Sequence, residues 1–443
     1  MTTILRSASP FRERDDRVRG SAGGASETHL AIVGAGPIGL EAALAAAEAG
    51  ISYVLIEQGD RVAHNVRSWG QVRLFSAWDL DVSPRQRAAL SSAGIEVPAG
   101  ADCPTGTELV ERVLEPVARL PGIAQRLRLG TRVAAIGRAG LLKQVEIGTA
   151  ARAGGRFRLL LDGSEGESVL YARSIFDCTG SYAHPAWIGD GGIPAPGELA
   201  AGARIARRLG DLGAGARAEA RDWSGQRILL VGAGHSAQTA AVALAALASQ
   251  EPQTRVHWVL RRERPAIDPD PKDPLPERRR LHEAARSLIE DGGPGLQVHL
   301  GATVDRLHEE PDGSLRVAIR RASDGVTGPQ EIAVDRILAL VGSHGDRGLY
   351  AELQVHECYA TSGPMRLAAA LLGSGSDDCM AQQSPGADLL ETSEPSFFIL
   401  GAKSYGRNSA FLLRLGWEQV AAAIARVGAT ARNGPESVQP SGV

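Results

Sequence analysis

The strongest constraint on this chain is a grammar it uses twice: an apolar run, a glycine turn, an alanine-rich helix and a second apolar run. In the first copy Leu30 to Val33 lead into Gly34, Ala35, Gly36, Pro37, Ile38 and Gly39. An alanine-rich stretch from Leu40 to Ala49 follows, Gly50 stops it, and Ser52 to Ile56 run on to Glu57 and Gln58. A short run without charges reads as a strand buried on both faces, and the whole reads as one βαβ unit. In the second copy Arg227 to Val231 lead into Gly232, Ala233, Gly234, His235, Ser236 and Ala237. A helix to Ser249 follows, and Val256 to Leu260 end in Arg261 and Arg262. The repeat predicts two dinucleotide-binding units.

Each glycine position has a physical role. The first makes the tight turn, the second lets backbone approach a pyrophosphate at the helix N-terminus, and the third allows close helix packing. Glu57 ends the second strand of its unit, where a carboxylate accepts hydrogen bonds from ribose hydroxyls. The bland reading is an ordinary αβ turn with an exposed acid. In the second copy Ala237 is small enough for the third position, and arginines replace the acid. A guanidinium binds a 2′-phosphate through two hydrogen bonds, whereas a carboxylate repels it. NADPH is therefore expected ahead of NADH. The competing reading is that Arg261 and Arg262 are merely solvated, in a chain whose only lysines are Lys143, Lys272 and Lys403.

Two meanders extend the repeat. Leu129 to Val133, then Arg156 to Leu161 with a turn at Asp162 and Gly163, lead to Ser174 to Gly180. Leu300 to Val304, then Leu315 to Ile319 with a turn at Asp324 and Gly325, lead to Asp335 to Gly342. Both read as antiparallel hairpins feeding a buried strand that ends in glycine.

Composition narrows the classes. With 48 basic and 51 acidic side chains and a formal charge of −3, nothing draws the chain toward nucleic acid or an anionic membrane. The four cysteines, Cys103, Cys178, Cys358 and Cys379, form no CxxC pair, which excludes a CxxC thiol relay and a cysteine-rich zinc module. No metal site is expected. The longest apolar run falls short of the ~20 residues of a membrane helix. Segments 1–27 and 431–443 are expected to be mobile tails, and a cytoplasmic location is the default.

On these motifs the sequence resembles the flavoprotein oxidoreductases with two dinucleotide-binding domains, which include flavin-containing monooxygenases, N-hydroxylases and disulfide reductases. The resemblance runs from Leu30 to Val427. It implies an α/β architecture: a Rossmann-like, three-layer FAD-binding domain (28–185 and 335–430) with a second Rossmann-like NAD(P)H-binding domain (186–334) inserted. Asp177, Cys178, Thr179 and Gly180 look like the family's second glycine motif, and Ser396 to Gly401 like its final strand. The resemblance adds Val133, Thr179, Gly180, Gly401 and Ala402 to the cofactor-binding set. Relatives carry Gly-Asp where this chain has Gly401 and Ala402. It also implies that His64 to Ser76 lie along the flavin, with Trp69, Arg73 and Ser76 offering stacking, a charge and a hydroxyl. Tyr405, Arg407 and Asn408 are placed near the flavin O2 end, ahead of a helix carrying Leu412, Leu413, Leu415 and Val420.

The absence of a CxxC argues against the disulfide-reductase branch. The stretch 198–222 has no histidine, so the FxGxxxHxxxW-type fingerprint of the monooxygenases is missing, and a sister group of that branch is expected. The expected activity is NADPH-driven, FAD-dependent oxygenation of an amine or sulfur through a C4a-hydroperoxyflavin, with O2 as co-substrate. Two alternatives stay open: a dehydrogenase or reductase without oxygen insertion, and a non-catalytic flavin-binding sensor or assembly partner. The reading allows a small-molecule substrate and a homodimer, without nucleic acid or membrane.

Overall fold

The computed structural model describes residues 26–209, 223–267, 270–271, 273–321, 328–373, 386–409 and 411–432. Residues 1–25 and 433–443, the turn at 324–325 and Cys379 lie outside the described residues. Two α/β units are present, each built around one of the repeated turns.

The first unit centres on β1 (Ser26–Val33), β2 (Tyr53–Ile56), β3 (Leu127–Arg128), β4 (Arg132–Arg138), β5 (Phe157–Gly163) and β6 (Gly166–Asp177), in spatial order β3-β2-β1-β6-β5-β4. β1 is parallel to both β2 and β6, whereas β4, β5 and β6 form an antiparallel meander. Along β1 the side chains alternate between two cores. Leu30 and Ile32 join the cluster under the helices Pro37–Glu48 and Leu413–Arg432, and Ala31 and Val33 join the meander-side cluster with Phe157 and Leu159. That is the two-sided burial a charge-free run demands. β1 starts at Ser26, slightly before the expected domain limit of 28.

After β7 (His184–Pro185), which lies in the crossing between the units, the second unit repeats the plan with β8 (Ile205–Ala206), β9 (Arg227–Val231), β10 (Arg255–Val259), β11 (Leu296–His299), β12 (Ala302–Glu309), β13 (Leu315–Arg321), β14 (Gln330–Val334) and β15 (Arg336–Ala339). Its parallel sheet has the order β11-β10-β9-β15-β8. The helices His235–Gln250 and Pro276–Glu290 contribute to the cluster on one face, and the antiparallel β12-β13-β14 sheet covers the other.

One boundary differs from expectation. β15 lies beyond residue 334, yet it pairs in parallel with β9 from Arg336 opposite Ile228 to Ala339 opposite Val231. The second unit therefore includes 336–339, and the expected division at 334/335 is corrected. The repeat itself supplies the reason: β15 stands to β9 as β6 stands to β1, each meander feeding the strand beside its own glycine-turn strand.

The chain crosses between the units at two places, and the crossings pair. β7 runs antiparallel to β16 (Ser343–His344), with the rings of His184 and His344 stacked at 5.9 Å. The last strand, β17 (Phe397–Ile399), returns to the first sheet beside β6. Among the described residues no helix is long and apolar enough to cross a membrane.

Candidate nucleotide and flavin site

Both glycine turns open at the carboxyl ends of their sheets. Gly34 has φ of 99°, and a Cβ there would lie 2.8 Å from the Cys178 carbonyl oxygen. At Gly39 a Cβ would lie 1.8 Å from the Gly34 oxygen, so the helix starts hard against the turn. Gly36 differs, because its backbone is ordinary (φ −80°) and a Cβ would meet nothing within 4 Å. The outer glycines are required by the fold, whereas the middle one faces free space, as backbone approaching a pyrophosphate must. Pro37 takes the first helical turn, where its missing N–H is harmless. Gly36→Val is accordingly expected to weaken FAD binding at least about tenfold, ~1.4 kcal/mol, with an unchanged unfolding midpoint. Gly39→Ala should lower the midpoint itself. A flavin titration and a urea melt of each variant check this, and equal behaviour of the two would refute the division of labour.

Glu57 is buried, and its carboxylate accepts hydrogen bonds from the Ala35 N–H (2.8 Å) and the Gly59 N–H (2.9 Å). Two backbone donors thus hold it beside the turn, with further lone pairs for ribose hydroxyls. Gln58 beside it is exposed. Val133 buries its side chain with Val33 and Ile56, so only its backbone is available to a ligand. The final turn closes on the first: a Cβ at Gly401 (φ 74°) would lie 3.1 Å from Ile38 Cγ1. The Gly401 N–H donates to Gln419 Oε1 (2.8 Å), and Ala402 is exposed. These features fit an FAD-type dinucleotide: the open turn at Gly36 would take a pyrophosphate, and Glu57 has the chemistry to hold a ribose.

Sequence reasoning missed Asp177 and Lys403 as partners. The Lys403 ammonium donates to Asp177 Oδ2 (2.6 Å) and Thr179 Oγ1 (3.1 Å), with both charged side chains fully enclosed. The Thr179 hydroxyl and N–H both donate to Asp177 Oδ1. Gly180, at φ 70°, follows this cluster. The rarity of lysine in an arginine-rich chain was the available signal.

Residues 64–76 bridge the two units as well as flanking the first turn. The Trp69 ring stacks on Tyr182 (centroids 6.2 Å, planes 29° apart) and lies over Gly106, where a Cβ would come within 2.7 Å of the indole. Arg73 donates to the Cys103 carbonyl, and the Ser76 hydroxyl donates to Asp81 Oδ1 (2.6 Å). The proposed charge and hydroxyl are thus engaged within the first unit. Phe75 instead meets the second unit edge-on at His235, 5.1 Å between centroids.

His235 begins the helix after the second turn. Its ring also stacks on His282 at 5.2 Å, and burial, with lesser contributions from His282 and Arg278, pushes its pKa down to about 4. A neutral imidazole therefore joins the second turn to Phe75. Gly232 (φ 133°) could not carry a Cβ, which would lie 2.2 Å from the Leu340 oxygen, whereas a Cβ at Gly234 would meet nothing within 4 Å. The two turns share one design. Ala237 is fully buried, Ser236 is exposed, and Arg261 and Arg262 are exposed at the end of β10.

Tyr405, Arg407 and Asn408 lie together on the rim of a cavity of about 170 Å³, with Thr361, Ala368, Leu371 and Leu372. Tyr405 is buried against Phe411 (5.4 Å), and burial pushes its hydroxyl up to about 12. Arg407 and Asn408 are exposed.

Comparison with known proteins bears on the fold. Residues 2–76 match the family model of the pyridine nucleotide-disulphide oxidoreductases. No curated protein matches the sequence. Among solved structures, the bacillithiol disulfide reductase of Bacillus cereus superposes with a TM-score of 0.66 at 17% identity, over 91% of this chain and 99% of that one. An ornithine N-hydroxylase of Kutzneria sp. 744, with FADred, NADP+ and L-orn, gives 0.58 at 15% identity over 92% and 100%. The thioredoxin reductase of T. acidophilum gives 0.56 at 14% identity over 92% and 99%. The chain has the two-dinucleotide-binding flavoprotein fold.

Proposed function

We propose that this protein is an FAD-dependent, NADPH-consuming oxidoreductase, and within that class a monooxygenase acting on an amine or sulfur. The observation that carries the reading is the pairing of two open glycine cradles on docked units, with Phe75 of one against His235 of the other. Glu57 suits the ribose of FAD, and the exposed Arg261 and Arg262 suit a 2′-phosphate. When bound, the flavin supplies the hydride acceptor and the reaction with oxygen. The chain's own residues bind, orient and enclose it.

Oxygenation is favoured over a dithiol relay because Cys103, Cys178, Cys358 and Cys379 form no CxxC pair that could carry one. Burial raises the thiol of Cys178 well above its usual range, so it is a poor thiolate. The second reading, a dehydrogenase or reductase without oxygen insertion, needs no thiol and rests on the same two open glycine turns.

The test is to saturate the purified protein with FAD, mix it with NADPH or NADH, and follow flavin bleaching without and with isotopically labelled O2. Label in an amine or thioether product supports the monooxygenase, and oxygen-independent turnover supports the reductase. Absence of bleaching by either nucleotide would overturn the catalytic reading in favour of a binding module. Replacing Arg261 and Arg262 together by alanine is expected to weaken NADPH about tenfold or more, ~1.4 kcal/mol, with little change for NADH. Equal loss for both nucleotides would refute the phosphate assignment.

A further inference from the structure

We propose that Lys403 is a positioning residue of the domain crossing, clasping the outgoing and returning segments and so fixing the angle at which the second cradle faces the first. The inference rests on the oxidoreductase reading for its consequence, but its geometry stands without a cofactor.

The outgoing segment leaves β6 at Asp177, which is paired with Val33 on one side and Ile399 on the other. It then passes through Thr179 and Gly180 to β7. Lys403 arrives from the turn after β17 and donates to both Asp177 and Thr179. The returning segment runs from β16 through Gly345 to Tyr350. A Cβ at Gly345 would lie 2.6 Å from Lys403 Cγ, so the lysine stem lies directly on that backbone. The ammonium also stands 5.0 Å from the centre of the Tyr350 ring. That ring is itself held by the Tyr350 hydroxyl donating to Glu357 Oε1 (2.7 Å). One side chain therefore touches both crossing segments.

The strand ladder between the crossing segments is two residues long on each side, 184–185 and 343–344, with one further backbone bond, from the Ala186 N–H to the Gly342 oxygen (2.9 Å), and a Ser343–Ser181 hydroxyl contact (3.4 Å) beside it. So short a ladder resists rotation weakly, and units joined by modest interfaces move relative to each other by default. A buried ammonium with directional acceptors on one segment, and a stem packed on the other, adds stiffness to so short a ladder. A hydride donor on the second cradle must meet an acceptor on the first within a narrow range of distance and angle. The angle between the units is thus a determinant of the rate, independent of how tightly either nucleotide binds.

The experiment uses the full chain. Lys403→Met keeps the stem and removes the charge. Gly345→Ala retains the lysine charge and both of its acceptors, presses the stem off the returning backbone, and serves if the first variant fails to fold. Backbone hydrogen–deuterium exchange is measured over 181–187 and 341–347, with β9 and β10 as internal references. FAD affinity and the rate of flavin bleaching at saturating NADPH are measured beside it. The expected result is exchange at least tenfold faster in both crossing segments, unchanged in β9 and β10. Bleaching should slow about tenfold, with FAD affinity within threefold of the parent. Unchanged exchange in the crossing segments of either folded variant would overturn the proposal, as would a loss of FAD affinity without altered exchange. Failure of the oxidoreductase reading looks different: the parent itself would not bleach, while the exchange comparison would still report on Lys403.

Discussion

Replacing Glu394 by alanine is expected to cost the folded state about 3–5 kcal/mol, the usual consequence of removing one partner from a buried ionic group. Glu394 is fully buried between two equally buried arginines. Its Oε1 accepts from Arg138 Nε (2.7 Å), and its Oε2 accepts from an Arg152 terminal nitrogen (2.7 Å) and the Gln354 N–H (2.7 Å). Arg138 also donates to the Gly155 and Pro395 carbonyls and lies 3.7 Å from the Phe157 ring centre. Arg152 donates to the carbonyls of Leu142 and Val145 (3.1 Å each). Burial alone would raise the Glu394 carboxyl, but the hydrogen bonds from Arg152, Gln354 and Arg138 outweigh it and hold it down. Alanine would leave two guanidinium ions buried without an anion. The network joins the meander to the residues just before β17, so FAD affinity should fall with stability. Glu394→Gln, which keeps an acceptor, should lie between parent and alanine. Urea midpoints read the effect, and a loss below about 1 kcal/mol would show that water relieves the arginines.

Much of the fold was legible because the glycine turns and apolar runs are local signals. β9 has the limits its residues suggest, Arg227–Val231, and the expected strand and helix of the first turn lie within one or a few residues of those observed. Strands β12 and β13 of the second meander were legible too, but β14 was not read, and the sheet that the following strand, β15, belongs to was missed. Whether β15 extends one sheet or the other depends on pairing with β9, a contact between distant parts of the chain. The letters 336–339 taken alone do not distinguish the two sheets; the signal lay in the repeat, where Asp335 to Gly342 stand to Arg227 to Val231 as Ser174 to Gly180 stand to Leu30 to Val33.

The site divides along the same line. Residues whose role is set by their own backbone, such as Gly34, Gly39 and Gly232, could be read from spacing. Residues whose role depends on an unseen partner could not. Ser76 and Arg73 offered a hydroxyl and a charge, but Asp81 and the Cys103 carbonyl engage them. Phe75, between these two, drew no attention and turns out to contact the second unit. Asp177 and Lys403 lie far apart in sequence and form one buried cluster. A polar side chain in a loop announces its capacity to bond, and only the fold decides with what.

The engagement of Ser76 leads to a second large effect, in the pH dependence of stability. Asp81 is 2% exposed. Burial raises its carboxyl to about 7, only partly offset by the hydrogen bond from Ser76, and Oδ2 has no partner among the described residues. In the unfolded chain the same group titrates near 3.8. Between these values the folded state holds a proton that the unfolded state has released. Its contribution is therefore fully present below about pH 4 and is lost as pH rises toward 7. Three pH units correspond to about 4 kcal/mol. Asp81→Asn removes the titration while keeping an oxygen for Ser76, at a pH-independent cost for its unpaired amide N–H of about 1–3 kcal/mol. The stability difference between variant and parent should thus move by roughly 2–3 kcal/mol in the variant's favour from pH 5 to pH 8, whatever its starting value. Urea melts across that range read the slope directly. Parallel curves for the two proteins would mean that Asp81 is already ionised in the fold, and that water or a cation reaches Oδ2.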